Sequence, residues 1–280
     1  MRLLLTNDDG IMAPGIQALA QACQAYGHQV WVVAPRQECS TCGHSMTLNR
    51  PIEVKAIQKN WWAVDGFPAD CVLWAAHYLG KKQKFDLLLS GINRGANLAQ
   101  DLYYSGTVAA AREGMQLGLP SIALSLAVSF AQMFGRAPKR KLSGTEYFQD
   151  VATWVAAFLS KSVAQKDFAG CFLNLNFPNC PATQYQGVQV GRPGLIDYDK
   201  KITPCPPLRH KHFFWIGGAQ CWPQDRPGTD VRAIKNNFIA ASWVKLDAAL
   251  AENPKAGRAS EKIWQKMFTK KVGHSLQGRI

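Results

Sequence analysis

The sequence predicts an α/β fold: a doubly wound, mostly parallel sheet with a C-terminal β-rich extended arm. Three observations predict it. Leu3-Leu4-Leu5, Val30 to Ala34 and Leu87-Leu88-Leu89 are short continuous apolar runs, the pattern of strands buried on both faces. Stretches of helical spacing lie between them, which favours parallel pairing through right-handed crossovers. Beyond Pro178 the character changes: residues 178–228 hold eight of the fifteen prolines, and helical spacing is lost.

Each element has its own signal. Pro14 stands at the first helical position, Ile16, Leu19, Ala20 and Cys23 follow the i, i+3, i+4, i+7 spacing, and Gly27 closes the helix. The Val30–Ala34 strand stops at Pro35. Pro68 opens a helix carrying Val72, Ala75, Ala76 and Leu79 on one face, with Gly80 after it. The Leu87–Leu89 strand is followed by a helix marked by Val108, Ala111 and Met115 and closed by Gly118, and then by a strand from Ser121 to Leu124. Val151, Trp154, Val155, Phe158 and Leu159 mark another helix, and Phe172 to Leu175 another strand. Past Pro178, Phe213-Phe214-Trp215-Ile216 and Phe238-Ile239 read as hairpin strands of the arm.

Composition bounds the rest. With 280 residues, 47% hydrophobic and 18% charged, the chain is long and apolar enough for a sizeable core, and wholesale disorder is excluded. The expected organisation is a single domain over 1–250, with a core at 1–178 and an arm at 179–250, followed by a basic extension at 251–280. No apolar run reaches the roughly 20 residues of a membrane helix, and MRLLLTNDDG does not resemble a secretory leader, so a cytoplasmic protein without membrane association is expected. Eight cysteines in a reducing compartment read as mostly buried apolar residues. The net charge is +13, and residues 254–280 supply a net +6 of it. Ile263, Trp264, Met267 and Phe268 line one helical face of that tail, with Lys262, Lys266 and Lys270 on another. Docking on the body or on a partner subunit is the plain reading of such a helix; membrane or nucleic-acid binding is the alternative.

The chemistry is concentrated after the buried strands. Leu3-Leu4-Leu5 runs into Thr6-Asn7-Asp8-Asp9-Gly10. Adjacent carboxylates raise each other's pKa unless a cation is near, so a divalent metal would reconcile them; an ordinary turn stays open as the alternative. The second strand leads to Pro35-Arg36-Gln37-Glu38-Cys39-Ser40-Thr41-Cys42-Gly43-His44-Ser45-Met46-Thr47. The third delivers Ser90-Gly91-Ile92-Asn93-Arg94-Gly95-Ala96-Asn97. Hydroxyl and amide oxygens added to carboxylates suit Mg²⁺, Mn²⁺ or Ca²⁺ and suit zinc poorly. Tyr103-Tyr104-Ser105-Gly106-Thr107 then enters a helix whose free N–H groups suit a phosphate, or are simply capped by Ser105 or Thr107. Together these segments put oxygen ligands and an anion pocket at one sheet edge, the layout of metal-assisted phosphoryl chemistry.

In LLLTNDDGIMAPGIQAL, VVAPRQECSTCGHSMT, VDGFPADCV, DLLLSGINRGANLAQDLYYSGTVAAAREG and, weakly, PGTDVRAI, the chain resembles the SurE (survival protein E) family of metal-dependent nucleotidases. The resemblance implies a Rossmann-like body with a swapped C-terminal arm, and a homodimer or homotetramer formed through that arm. It implies one divalent cation, Mg²⁺ or Mn²⁺, on Asp8, Asp9, Ser40 and Asn93, with phosphate contacts from Asn97, Ser105, Gly106 and Thr107. The implied reaction is hydrolysis of nucleoside 5′-monophosphates, extending to 3′-monophosphates and short polyphosphate. Asp8 or Asp9 would orient the attacking water, and His44 is a candidate proton donor whose alternative is a loop histidine bonded to backbone. The chain departs from the family at Arg36, at Cys39 and Cys42 around Ser40, at Arg94, and at Ser242-Trp243.

Rival classes fit less well. A nicotinamide-dependent oxidoreductase would need a G-x-G-x-x-G after a strand, and none is present. A basic nucleic-acid-binding protein without phosphatase activity would account for the charge, but that charge is concentrated in the tail and no recognition motif appears. Cys39 and Cys42 lack two further ligands at zinc spacing, since only His44 and the distant His210 and His212 are on offer; they read as ordinary loop cysteines, a disulfide tethering the Ser40 loop being the alternative.

Overall fold

The computed structural model describes residues 1–128, 146–161, 168, 170–199, 202–206, 212–216 and 221–245. Among them one nine-stranded sheet organises the chain. At its centre lies β1 (Arg2–Thr6). On one side follow β2 (Gln29–Pro35), β4 (Trp61–Val64) and β3 (Val54–Gln58). On the other follow β5 (Leu87–Arg94), β6 (Ser121–Ala127), β7 (Cys171–Pro178), β13 (Ile239–Lys245) and β8 (Val188–Val190). The run from β4 through β2, β1, β5 and β6 to β7 is parallel throughout. β3 pairs antiparallel with β4, and β13 antiparallel with β7 and parallel with β8.

The two faces follow from side-chain alternation along a strand. Leu3, Leu5, Val32, Leu87 and Leu89 face one core, shared with Ile16 and Leu19 of α1 (Pro14–Ala25) and Val151 and Val155 of α4 (Phe148–Leu159). Leu4, Val33 and Leu88 face the other, with Cys71 and Val72 of α2 (Pro68–Trp74) and Ala110 of α3 (Gly106–Gln116). All three leucines of β1 are fully buried, each worth about 1.5–3 kcal/mol relative to exposure. This is why the apolar run is continuous rather than alternating. Gly91 in β5 turns at φ 135°, and a Cβ there would lie 2.2 Å from the Leu124 carbonyl oxygen, so the strand approaches β6 more closely than any side chain allows.

Differences from the sequence expectation cluster outside this layered core. β3 and β4 carry no readable alternation, because β3 is largely exposed and β4 is only four residues long. Phe238-Ile239 does not open an arm hairpin. Ile239 begins β13, which lies in the main sheet because its Ile239, Ala240 and Ala241 are buried there. The segment expected as an arm therefore gives β8 and β13 to the main sheet. Among the described residues, β9 (Ile196–Tyr198) with β12 (Cys221–Pro223), and β10 (Ile202–Pro204) with β11 (Phe214–Ile216), stand apart as two-stranded sheets. The short helix α5 (Asp230–Lys235) precedes β13. The tail helix expected around Ile263 to Phe268 lies outside the described residues. Among the described residues no helix is long and apolar enough to cross a membrane.

From β1 the chain moves to β2 on one side and later returns to β5 on the other. The carboxyl ends of β1 and β5 thus flank the switch point, where open α/β sheets bind ligands.

Candidate functional site

The loop after β1 is tied to its neighbours on both sides. The Cys39 amide donates to the Asp8 carbonyl at 2.7 Å, seating the loop after β2 against it. The Arg94 amide, at the end of β5, donates to Asp9 Oδ2 at 3.1 Å. Asp8 is buried, and its Oδ1 accepts a hydrogen bond from the Thr107 hydroxyl. Burial pushes the Asp8 carboxyl up, while the Thr107 hydroxyl and the backbone amides of Thr107, Asp8 and Gly106 pull it back. Asp9 is half-buried; burial first and the charge of Asp8 second push its carboxyl up to about 6. Among the described residues no Lys or Arg side chain forms an ion pair with either aspartate.

Asn93 stands at the end of β5 beside Arg94, so the Arg94–Asp9 bond brings it to the same edge. Its Nδ2 donates to the Gly95 carbonyl at 3.0 Å, leaving the amide oxygen for a cation. Ser40 is exposed, and its hydroxyl donates to Glu38 Oε1 at 2.6 Å, so its lone pairs remain available. Glu38 was not singled out from the sequence, yet its charge also raises Asp9. Its place two residues before Ser40 was the available signal.

Among the described residues no three His, Cys, Asp or Glu side chains are grouped to hold a metal ion. The donor set here has a different chemistry: two carboxylates, a hydroxyl and an amide oxygen, all hard ligands. It fits Mg²⁺ or Mn²⁺. Two observations agree with that fit. Both carboxylates are held high chiefly by burial, with the more distant Arg94 charge only partly offsetting this at Asp9, and Asn7 Oδ1, just after β1, and Ser90 Oγ, midway along β5, are buried with no hydrogen-bond partner among the described residues. A cation there would stabilise the ionised aspartates.

The start of α3 faces this loop. Ser105 caps the helix, its Oγ accepting from the Val108 amide at 3.1 Å, so the capping alternative is realised and the hydroxyl proton stays free to donate. Gly106 fits where no other residue does: a Cβ would lie 2.8 Å from both Asp8 Cβ and Cys42 Sγ. Thr107 spends its hydroxyl on Asp8, which makes its side chain a support of the carboxylate and leaves its backbone amide as the group at the helix N-terminus. Asn97 is buried, and its Nδ2 donates to Ser125 Oγ at 2.8 Å.

His44 is bonded to a side chain rather than to backbone. Its Nε2 lies 2.9 Å from Oε2 of Glu113, a buried carboxylate on α3. The pair ties the loop carrying Ser40 to the helix that carries Gly106 and Thr107. Cys39 and Cys42 are both free thiols, and burial pushes both up, Cys42 to about 12. Asn174, Asn176 and Asp230, which hold the backbone between Asn97 and Ala99, were not identified from the sequence. Of the three, only Asp230 lay in a quoted motif, PGTDVRAI.

Comparisons with known proteins bear on this arrangement. The family model for survival protein SurE matches residues 3–200. A 5′-nucleotidase SurE from Paramagnetospirillum magneticum is 37% identical over 256 residues, covering 91% of this chain and 94% of that protein. One from Pelobacter propionicus is 39% identical, covering 88% and 94%. The crystal structure of the SurE protein from Aquifex aeolicus is similar with a TM-score of 0.71 and 31% identity, over 93% of this chain and all of that one.

Proposed function

The chain belongs to the SurE family, and on that premise we propose that it is a divalent-metal-dependent 5′-nucleotidase, releasing phosphate from nucleoside 5′-monophosphates and, as secondary substrates, from 3′-monophosphates and short polyphosphate. The observation that carries the metal reading is the pair of adjacent aspartates at the switch point, both raised chiefly by burial and neither in an ion pair with a Lys or Arg side chain among the described residues. The relatives named 5′-nucleotidase support the reaction.

Asp8, Asp9, Ser40 and Asn93 are the proposed cation ligands. A hard divalent cation, when bound, supplies charge neutralisation at the phosphoryl oxygens. Thr107 fixes one oxygen of Asp8, so that carboxylate keeps one orientation. The Arg94 amide does the same for Asp9. The Ser105 hydroxyl and the amides at the start of α3 offer donors to the phosphate, in the field of the helix dipole. Either aspartate is positioned to orient a water for in-line attack. The bond between Nε2 of His44 and Glu113 supports a tethering role for His44 on the Ser40 loop. The arm is proposed to join subunits into a homodimer or homotetramer; the exposed Ile202, Phe214 and Trp215 on β10 and β11 support a covered face there, and sedimentation tests it.

A phosphate-release panel tests the function: 5′- and 3′-monophosphates and tripolyphosphate, each with Mg²⁺, Mn²⁺ or chelator. Metal-dependent release from 5′-monophosphates is expected. Absence of release from every phosphoester with either metal would contradict the proposal.

A further inference from the structure

We propose that Asp101 is a positioning residue for the phosphate-binding turn, and that Tyr198 and Ile196 of β9 hold that turn in place. The proposal rests on the functional reading above and extends it to residues that touch neither substrate nor cation.

The stretch from Asn97 to Ser105 joins the ligand end of β5 to the start of α3. Its backbone is secured from outside. The Asn97 amide donates to Asn176 Oδ1 at 2.7 Å, and its carbonyl accepts from Asn174 Nδ2 at 2.9 Å and Asn176 Nδ2 at 3.0 Å. The Ala99 amide donates to Oδ2 of the buried Asp230 at 2.9 Å, and Oδ1 of the same carboxylate accepts from the Gly194 amide at 2.7 Å. These bonds fix where the turn begins.

Asp101 fixes where it ends. Its carbonyl accepts from the amides of Tyr104 at 3.0 Å and Ser105 at 3.1 Å. A rotation of the chain at Asp101 therefore moves the Ser105 hydroxyl and the first amides of α3 together. Its carboxylate is gripped separately, accepting from the Tyr198 hydroxyl at 2.5 Å. One residue earlier, Gln100 pairs with both backbone groups of Ile196: Oε1 accepts from the Ile196 amide at 3.1 Å, and Nε2 donates to its carbonyl. Consecutive side chains of the turn thus clamp alternate residues of one strand. β9 is itself braced by β12 and by the bond from Gln224 Nε2 to Asp197 at 2.9 Å. The segment after Pro178 accordingly sets the position of phosphate donors that belong to the core.

The test uses the full-length protein with saturating Mn²⁺ and inorganic phosphate as the probe, read by calorimetry, alongside KM and kcat for 5′-AMP. Tyr198→Phe and Asp101→Ala are expected to weaken phosphate binding by about three- to tenfold and to raise KM in parallel, the scale of one lost hydrogen bond that aligns a site. Asp101→Asn keeps an acceptor for the Tyr198 hydroxyl and is expected to stay within about twofold of wild type. Mn²⁺ affinity is expected to fall clearly less than phosphate affinity in Tyr198→Phe and Asp101→Ala, since Asp9, Asn93 and Ser40 sit on other segments and only Asp8 is tied to α3, through Thr107. Phosphate affinities of Tyr198→Phe and Asp101→Ala equal to wild type would overturn the clamp. So would Mn²⁺ affinity falling as far as phosphate affinity, which would mark general loosening. A wild type that binds phosphate but hydrolyses no nucleotide defeats the functional reading and leaves the clamp to be decided by the affinities; a wild type that binds no phosphate defeats both.

Discussion

Replacing Asp9 with Asn should stabilise the metal-free protein at neutral pH while abolishing turnover. In the fold the Asp9 carboxyl is pushed from an ordinary 3.8 up to about 6, chiefly by burial and then by Asp8. The folded state therefore binds this proton more tightly than the unfolded chain does. Stability from Asp9 is intact below about pH 4, declines as pH rises toward about 6, and is lost above that. The difference between 3.8 and about 6 corresponds to about 3 kcal/mol. Because Asp9 is only half-buried, water screens part of this, and ~1–2 kcal/mol is the working expectation. Asn carries no charge and retains an acceptor for the Arg94 amide. The assay is urea unfolding of both proteins in chelator at pH 4, 5, 6 and 7.5. The Asn variant should match wild type at pH 4 and exceed it at pH 7.5, and Mn²⁺ should stabilise wild type alone. A variant that is less stable at pH 7.5, or a difference that does not change with pH, would refute the reasoning.

Other consequences are equally direct. Gly106→Ala places a methyl 2.8 Å from Asp8 Cβ and Cys42 Sγ, so Mn²⁺ affinity should fall at least about tenfold by titration, a displacement of the sort that costs large factors in a preorganised site. Leu4→Ala removes a fully buried side chain between β1 and the α2–α3 layer, and chemical denaturation should show a loss of about 3–5 kcal/mol. His44→Ala leaves the buried Glu113 carboxylate without its ring partner, so stability should drop by about 1–3 kcal/mol. The same variant should keep its pH–rate profile, and loss of one limb of that profile would restore His44 as a proton donor.

How much of this was legible depended on burial. The strands β1, β2 and β5 were readable because both faces are covered, which forces continuous apolar runs, and α1 because Pro14 and Gly27 punctuate it. The segments that carry the four proposed ligands were likewise readable, since each lies directly after, or at the end of, one of those strands, while the choice of Asp8, Asp9, Ser40 and Asn93 within them follows from the family resemblance. β3 escaped notice because its exposed residues leave no hydrophobic alternation. β13 was misassigned to the arm because sequence spacing cannot say which sheet a short apolar strand joins; its pairing with β7 is a tertiary choice. The roles of Thr107 and His44 turn on partners distant in sequence, Asp8 at 99 residues and Glu113 at 69, which no local pattern reveals. Asp230 is similar: 131 residues separate it from the Ala99 amide it holds.

The cation site is settled by a crystal soaked in Mn²⁺ and measured at the manganese absorption edge. One anomalous peak is expected at the carboxyl ends of β1 and β5, coordinated by oxygens of Asp8, Asp9, Ser40 and Asn93 at about 2.0–2.3 Å. No peak at that corner, or a peak bound elsewhere with these side chains turned apart, would contradict the proposed site.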